Sequence, residues 1–493
     1  MFLRELDHVR DLFESVNGVF VGVGMTAFPR IIPSYFSDSY RIISLRKTGD
    51  MPLLRKKAEI FCLEEATWGS LPADYHDSAR LLAHQVVKKH LDKLPEPKHL
   101  LLYQNYPDLE KLAKKEGWIL LANPADLRLR LRERAFFQHM AVELDLRQAP
   151  GAIWPIEVIR ERGYEDWATT LGPELVIQLP DIGQGGGRGT FFVRSAEAYN
   201  LLEERLREDT WREVRLKSVS IRKFIEGVPA SVAICITRDG NLISGLQKQL
   251  VDLPYCSDFL EDGIFCGHVW DETLWSPAIK EDALQQANRI GGYVSSLGYR
   301  GIFGIDFIID EQGRESYPIE INPRFTGAFP MLSLLHLQHG IIPLDVFHML
   351  EFLDLPYQLD VEELNKQYAR PIEGSHLLLF LPLRGQKVRF DRLLPGLYQY
   401  EPGEKRFFFR RDAMEYRDIQ NENQFVLVDG PPNIGGNNAV STDPLGRLCH
   451  TLFSYPVVDK EGSMSSHARI ALEWIYGIDV PQRNRKEKTF HPS

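Results

Sequence analysis

The chain has 493 residues, with 58 Lys plus Arg against 68 Asp plus Glu, a formal charge of −10, and 44% hydrophobic residues. That length calls for roughly two to four structural units with sizeable cores, and the acidic balance excludes a general nucleic-acid-backbone binder, which needs a basic stripe. Cys62, Cys235, Cys256, Cys266 and Cys449 are scattered without a CxxC, the start MFLRELDHVRDLFE is too charged for a signal peptide, and Val16–Pro29 is too short to span a bilayer, so free thiols, no zinc and a cytoplasmic protein without membrane partners are expected.

Residues 1–123 alternate strand and helix signals. Val19–Val23, Arg41–Leu45, Leu100–Tyr103 and Trp118–Leu121 read as buried strands, and Ala79–His90 has helical spacing. This predicts an open α/β unit with a parallel sheet. Gly22 and Gly24 lack the third glycine of a dinucleotide fingerprint and predict a tight strand-to-helix turn instead. From Pro124 to Gln148 the spacing predicts one amphipathic helix capped by Asn123 or Asp126, carrying the basic run Arg128, Arg130, Arg132, Arg134.

Leu175–Leu179 is an apolar strand leading into Gly183, Gly185, Gly186, Gly187 and Gly189, with a return strand through Phe191–Val193. Glycines let backbone N–H groups approach phosphate oxygens closely. No Gly-Lys-Ser/Thr follows, so this is not a Walker A loop. Ordering five glycines within seven residues costs entropy that a bound ligand would offset. Val219–Gly227 and Ala230–Ile236 read as further strands, and 273–298 as a helix with Leu284, Ala287, Ile290 and Val294 on one face. Cys266 has no His/Asn partner pattern and reads as structural.

The densest chemistry lies in Gly301–Gly327, GIFGIDFIIDEQGRESYPIEINPRFTG. It predicts a hairpin turning near Glu311–Gly313. Ile305, Phe307 and Ile309 should point inward on the first strand, and Tyr317, Ile319 and Ile321 on the second. With an odd turn, Asp306 and Glu320 share a face as diagonal neighbours, roughly 7–8 Å apart at the backbone; an even turn would separate them. Either acid alone reads as a solvated strand residue. Glu320, Asn322 and Arg324 at every second position, on one face until Pro323 disturbs the alternation, say more: two carboxylates and an amide are ligands suited to Mg²⁺. Beyond Ile372 the chain turns strand-rich, with strands at Ser375–Leu383, Val388–Phe390, Arg406–Arg410 and Gln424–Val428 and a closing helix at Ser465–Tyr476.

The hairpin resembles the C-terminal signature of ATP-grasp enzymes, in which a strand Asp or Glu precedes Glu-x-Asn on a neighbouring strand. The Asn322-Pro323-Arg324 ending is most similar to the biotin carboxylase and carbamoyl phosphate synthetase branches. The resemblance implies an α/β and α+β chain: an ATP-grasp fold preceded by an open α/β domain and followed by a strand-rich C-terminal unit. The boundaries it suggests are 1–123, a small lobe 124–226, a large lobe 227–371, a C-terminal domain 372–480 and a disordered tail 481–493. It implies ATP and Mg²⁺, the metal on Asp306, Glu320 and Asn322. Arg134 would touch the phosphates, Gly185, Gly186, Gly187, Arg188 and Gly189 would form a lid over them, and Lys223, Phe224 and Ile225 would read adenine through their main chain.

Two positions depart from the family. Gln178, in Gln178-Leu179-Pro180, stands where a phosphate-binding lysine is usual, a form that resembles a branch of peptide and amine ligases; Arg188 is the candidate for the missing charge. Pro229 stands where D-alanine–D-alanine ligases hold the ribose with Glu, leaving Glu226 as the substitute. The implied activity is an ATP-dependent carboxylate–amine ligase working through an acyl phosphate steadied by Arg324. A carboxylase or phosphotransferase and a non-catalytic nucleotide-binding module are the alternatives. Small carboxylate and amine substrates are the implied partners, and a homodimer contact is one role open to the C-terminal unit.

Overall fold

The first third of the chain builds a five-stranded parallel sheet from β1 (Val19–Gly24), β2 (Tyr40–Ser44), β3 (Glu59–Cys62), β4 (Lys98–Leu102) and β5 (Ile119–Leu121), in the order β3-β2-β1-β4-β5. This is a computed structural model, which describes residues 3, 5–68, 77–182, 189–253, 262–310, 314–353, 355–380, 392–431, 446–460 and 462–477. β3 was not expected, because only alternate positions of its four residues are buried. The expected helix 79–90 is two helices, Ser78–Ala83 and Gln85–Leu91, broken where His84 is extended and its Nδ1 accepts from the Val86 N–H. Gly22 is required by packing: a Cβ there would lie 1.8 Å from the Tyr40 hydroxyl. After Gly24 the chain enters short 3-10 turns, Phe28–Arg30 and Ile32–Tyr35.

The single helix expected over 124–148 is likewise two, Ala125–Arg132 and Arg134–Glu143, because Glu133 is extended (φ −64°, ψ 128°). Neither expected cap is used. The Ala125 N–H donates to Glu110 at 2.7 Å, whereas Asn123 is turned to the main chain of Arg300, donating at 2.7 Å and accepting at 3.0 Å.

A small antiparallel sheet follows, formed by β6 (Gly151–Pro155), β7 (Leu175–Gln178), β8 (Thr190–Val193) and, past a short ladder of β9 (Thr210–Trp211) and β10 (Val214–Arg215), β11 (Ser218–Lys223). Its order is β6-β11-β7-β8, with the helices Tyr164–Leu171 and Ala196–Arg205 contributing Trp167, Tyr199 and Leu202 to its core. Residues 224–226 then cross without strand structure into the large sheet.

That sheet contains β12 (Gly227–Thr237), β13 (Gly240–Ile243), β14 (Gln247–Val251), β15 (Phe265–Trp270), β16 (Gly301–Asp310), β17 (Ser316–Asn322), β18 (Gly374–Phe380), β19 (Gly396–Glu401), β20 (Arg406–Arg411), β21 (Gln424–Val428) and β22 (Arg447–Phe453). The order is β17-β16-β12-β14-β15-β18-β22-β21-β19-β20, with β13 beside β12. The helix Pro277–Ser296 covers one face, packing Ile279, Ala283, Ala287 and Ile290 with Phe303, Ile305 and Phe307; Leu284, expected on that face, is only partly buried. The helices Phe329–Gln338 and Leu344–Glu351 and the N-terminal sheet share a core with the other face. Because β18 pairs with β15, His376 opposite His268, the strand-rich segment after residue 372 continues this sheet. The strand expected at 388–390 lies outside the described residues. Cys62, Cys235, Cys266 and Cys449 are buried, and among the described residues no helix is long and apolar enough to cross a membrane.

Candidate active site

The β16–β17 hairpin brings the acids together by a route the sequence did not announce. On the turn side, Ile309, Ile308 and Phe307 face Ser316, Tyr317 and Pro318. Continued unbroken, that register would set Ile319 opposite Asp306 and turn Glu320 to the other face. A bulge intervenes. Asp306 instead faces Glu320, Ile305 faces Ile321, and Gly304 faces Asn322, while Ile319, the extra residue, is thrown outward and is 38% exposed. The inward row of β17 is therefore Ser316, Pro318 and Ile321, correcting the expected Tyr317, Ile319 and Ile321. The acids sit directly opposite each other and not diagonally, which brings their Cβ atoms to roughly 4.5–5.5 Å.

The contacts around the pair form one network. Asp306 Oδ1 accepts from Gln249 Nε2 at 2.7 Å, and Oδ2 accepts from Asn322 Nδ2 at 2.9 Å. The same amide nitrogen lies 3.4 Å from Glu320 Oε1, so its partial positive charge sits between the two carboxylates. Asn322 Oδ1 accepts from Arg324 Nη2 at 3.0 Å, and Arg324 Nη1 donates to the Tyr103 hydroxyl at 2.6 Å. Arg134 Nη2 donates to Glu320 Oε2 at 3.2 Å. Burial first, and the neighbouring Glu320 second, push the Asp306 carboxyl up to about 8. A hard cation between the two acids would remove that penalty, and the donor set fits one. Among the described residues no three His, Cys, Asp or Glu side chains are placed to hold an ion alone; an ion here draws further oxygens from water or phosphate, as Mg²⁺ does.

The other expected site residues lie on the small sheet, on the crossing that leads from it and at the head of a helix. Arg134 opens its helix at the break after Glu133, within reach of Glu320. Gln178 ends β7 and donates to the Thr190 hydroxyl at 3.2 Å. Gly189, at φ +80°, takes the left-handed conformation that favours glycine, and its carbonyl accepts from the Leu179 N–H. Gly183, Gly185, Gly186, Gly187 and Arg188 lie outside the described residues. Lys223 ends β11, and Phe224, Ile225 and Glu226 make the crossing between sheets; the Lys223 and Phe224 N–H groups donate to Pro150 and Glu174. The small sheet touches the large one through Asp262, which accepts from the Phe192 N–H and donates to the Thr190 carbonyl. Sequence reasoning missed Gln249 and Tyr103. Both reach the site across long sequence separations, and neither stands in a motif.

The ATP-grasp domain family matches residues 163–328. The arginine-specific large chain of carbamoyl phosphate synthase from Geobacillus stearothermophilus is 26% identical over 246 residues, 48% of this chain and 21% of that protein. This chain thus spans about a fifth of that curated relative's length. Among solved structures, the biotin carboxylase domain of Hydrogenobacter thermophilus 2-oxoglutarate carboxylase, in complex with MgADP, ADP and bicarbonate, superposes with a TM-score of 0.57 at 14% identity, covering 90% of this chain and 87% of the other. Carboxyaminoimidazole ribonucleotide synthase from Aspergillus clavatus, complexed with ATP, gives 0.52 at 12% identity, covering 94% and 99%. The fold is that of the ATP-grasp enzymes, with a parallel α/β sheet before it and antiparallel strands extending it.

Proposed function

We propose that this chain, a member of the ATP-grasp superfamily, is an ATP-dependent ligase that joins a carboxylate to an amine through an acyl phosphate, releasing ADP and phosphate. The observation that carries the reading is the bulge-set pair Asp306–Glu320 with the Asn322 amide between them and Arg324 alongside. Asp306, Glu320 and Asn322 would hold Mg²⁺, which supplies charge neutralisation to the β- and γ-phosphates when bound. Arg134, which pairs with Glu320, would share its charge with the same phosphates. Gln178, Gly189 and the crossing Lys223–Glu226 would line the nucleotide site.

In the reaction, a carboxylate oxygen attacks the γ-phosphorus and the bond to ADP breaks. The amine nitrogen then attacks the acyl carbon, phosphate leaves, and the nitrogen gives up its proton. Arg324 is fixed by Tyr103, Asn322 and the Phe325 carbonyl and has no carboxylate partner among the described residues. Its charge is free to steady the acyl phosphate and the oxyanion that follows. A second reading follows from the neighbours and from Asn322-Pro323-Arg324: the activated acid is bicarbonate, the anion present in the biotin carboxylase complex. Both readings predict that ¹⁸O from the labelled acid appears in the released phosphate. Phosphate carrying only solvent oxygen would refute the acyl phosphate, and the acid that transfers its label distinguishes the two.

A further inference from the structure

Asn322 stands between groups of opposite demand. On one side are the two carboxylates: its Nδ2 donates to Asp306 Oδ2 at 2.9 Å and lies 3.4 Å from Glu320 Oε1. On the other side is Arg324, whose Nη2 donates to Asn322 Oδ1 at 3.0 Å. A primary amide has a donor end and an acceptor end of nearly equal size. Turned over, it would set an oxygen against two carboxylate oxygens and an NH₂ against a guanidinium. The metal-free site therefore admits one orientation only.

With a hard cation on the acids that demand is reversed. Carboxylates engaged with the ion no longer seek a donor, and the amide oxygen is the atom that Mg²⁺ takes. Asn322 serves as a ligand only after turning about its terminal bond, which exchanges the two ends without needing new space. The turn is felt at Arg324. Its Nη1 keeps the Tyr103 hydroxyl at 2.6 Å and the Phe325 carbonyl at 2.8 Å. Among the described residues, Nη2 is held by Asn322 alone. Facing an NH₂ in place of an oxygen, Nη2 loses its acceptor, and the guanidinium stays anchored at one end and open at the other.

We propose that Asn322 couples the metal to Arg324: it turns its oxygen to an ion on Asp306 and Glu320, and the same turn frees Arg324 Nη2 for an oxygen of the acid substrate. Binding order is thereby built into the hairpin. Metal and nucleotide come first and the acid second, and by linkage the acid tightens the metal in return. The proposal rests on the metal assignment of the ligase reading.

The test is a double-mutant cycle read by Mg²⁺ binding, not by turnover. Mg²⁺ is titrated calorimetrically into the ADP-saturated full chain of wild type, Arg324→Met, Asn322→Ala and the double variant. Removing the Arg324 charge favours a nearby cation in either background. Only where Asn322 is present does it also spare the bond that the turn breaks. Arg324→Met should therefore tighten Mg²⁺ about tenfold more in the wild-type background than in the Asn322→Ala background. An equal effect in both overturns the coupling and leaves the metal site standing, whereas no Mg²⁺ binding by wild type overturns both. Should the variants fail to fold, crystal structures of wild type with ADP and with Mg-ADP decide. The 3.0 Å contact between Nη2 and the Asn322 amide, kept with ADP and broken with Mg-ADP, supports the coupling; the contact kept in both overturns it.

Discussion

Replacing Asp306 with Asn tests the acid pair at constant shape. The new amide oxygen keeps the bond from Gln249, but its NH₂ meets the NH₂ of Asn322, now 2.9 Å from Oδ2. Asn322 must turn over, and its oxygen then leaves Arg324. Exchanging one or two hydrogen bonds costs about 1–2 kcal/mol. Burial and the neighbouring Glu320 already push the Asp306 carboxyl upward in the metal-free protein, so removing its charge costs little there. The metal-free variant should therefore melt within about 3 °C of wild type. Mg-ADP should separate the two. At a hundredfold excess over its Kd, a ligand stabilises by about 2.7 kcal/mol. Losing one acidic ligand weakens the ion by about a hundredfold or more, leaving about 0.4 kcal/mol at the same concentration. Melting curves without ligand, with ADP, and with Mg-ADP make the comparison. An undiminished Mg-ADP shift in Asp306→Asn would refute the metal assignment.

Arg134→Ala removes a half-exposed ion pair with Glu320 and should cost less than about 1 kcal/mol of stability. It should weaken nucleotide binding about tenfold; an unchanged nucleotide Kd by calorimetry would take Arg134 out of the site. Gly22→Ala forces a methyl to within 1.8 Å of the Tyr40 hydroxyl, which donates to the Arg30 carbonyl. A loss of roughly 1–3 kcal/mol in denaturant unfolding is expected, and a neutral result would contradict the packing role. Burial lowers His268 to about 3, so the unfolded chain protonates first as pH falls. Its contribution is complete above the ordinary histidine value and declines below it, by about 1.4 kcal/mol at one unit lower. Asp306 and Asp345 are shifted upward and act in the opposite sense over this range. The test is therefore the difference between wild type and His268→Gln, measured by denaturant at pH 7.5 and 5.5. A difference independent of pH would refute it.

The site chemistry was legible where it is local. Asp306, Glu320, Asn322 and Arg324 lie within one hairpin, and their spacing survives whatever packs around them. Their register was not legible. The bulge at Ile319 depends on Pro318 and Ile321 both turning toward the core, a packing outcome that strict alternation cannot express. The break at Glu133 was hidden for a related reason: no Gly or Pro marks it, and Arg134 leaves the basic run to meet Glu320, 186 residues away. Of the C-terminal strands, β18, β20 and β21 were visible as strands, whereas β19 and β22 were not expected. Their joining of the large sheet rests on β18 pairing with β15, His376 opposite His268, a contact with no local signature. Gly22 was legible as a special position and was given the wrong reason; Tyr40, not a turn, requires it.

The central claim is tested most directly by Mg²⁺-dependent ADP release, with small carboxylates, bicarbonate and amines supplied singly and in pairs and Glu320→Gln as the blank. The account predicts release only when an acid and an amine are present together, and none from Glu320→Gln, whose melting curve should match wild type. Release supported by a single acceptor, or turnover that persists in Glu320→Gln, would contradict it.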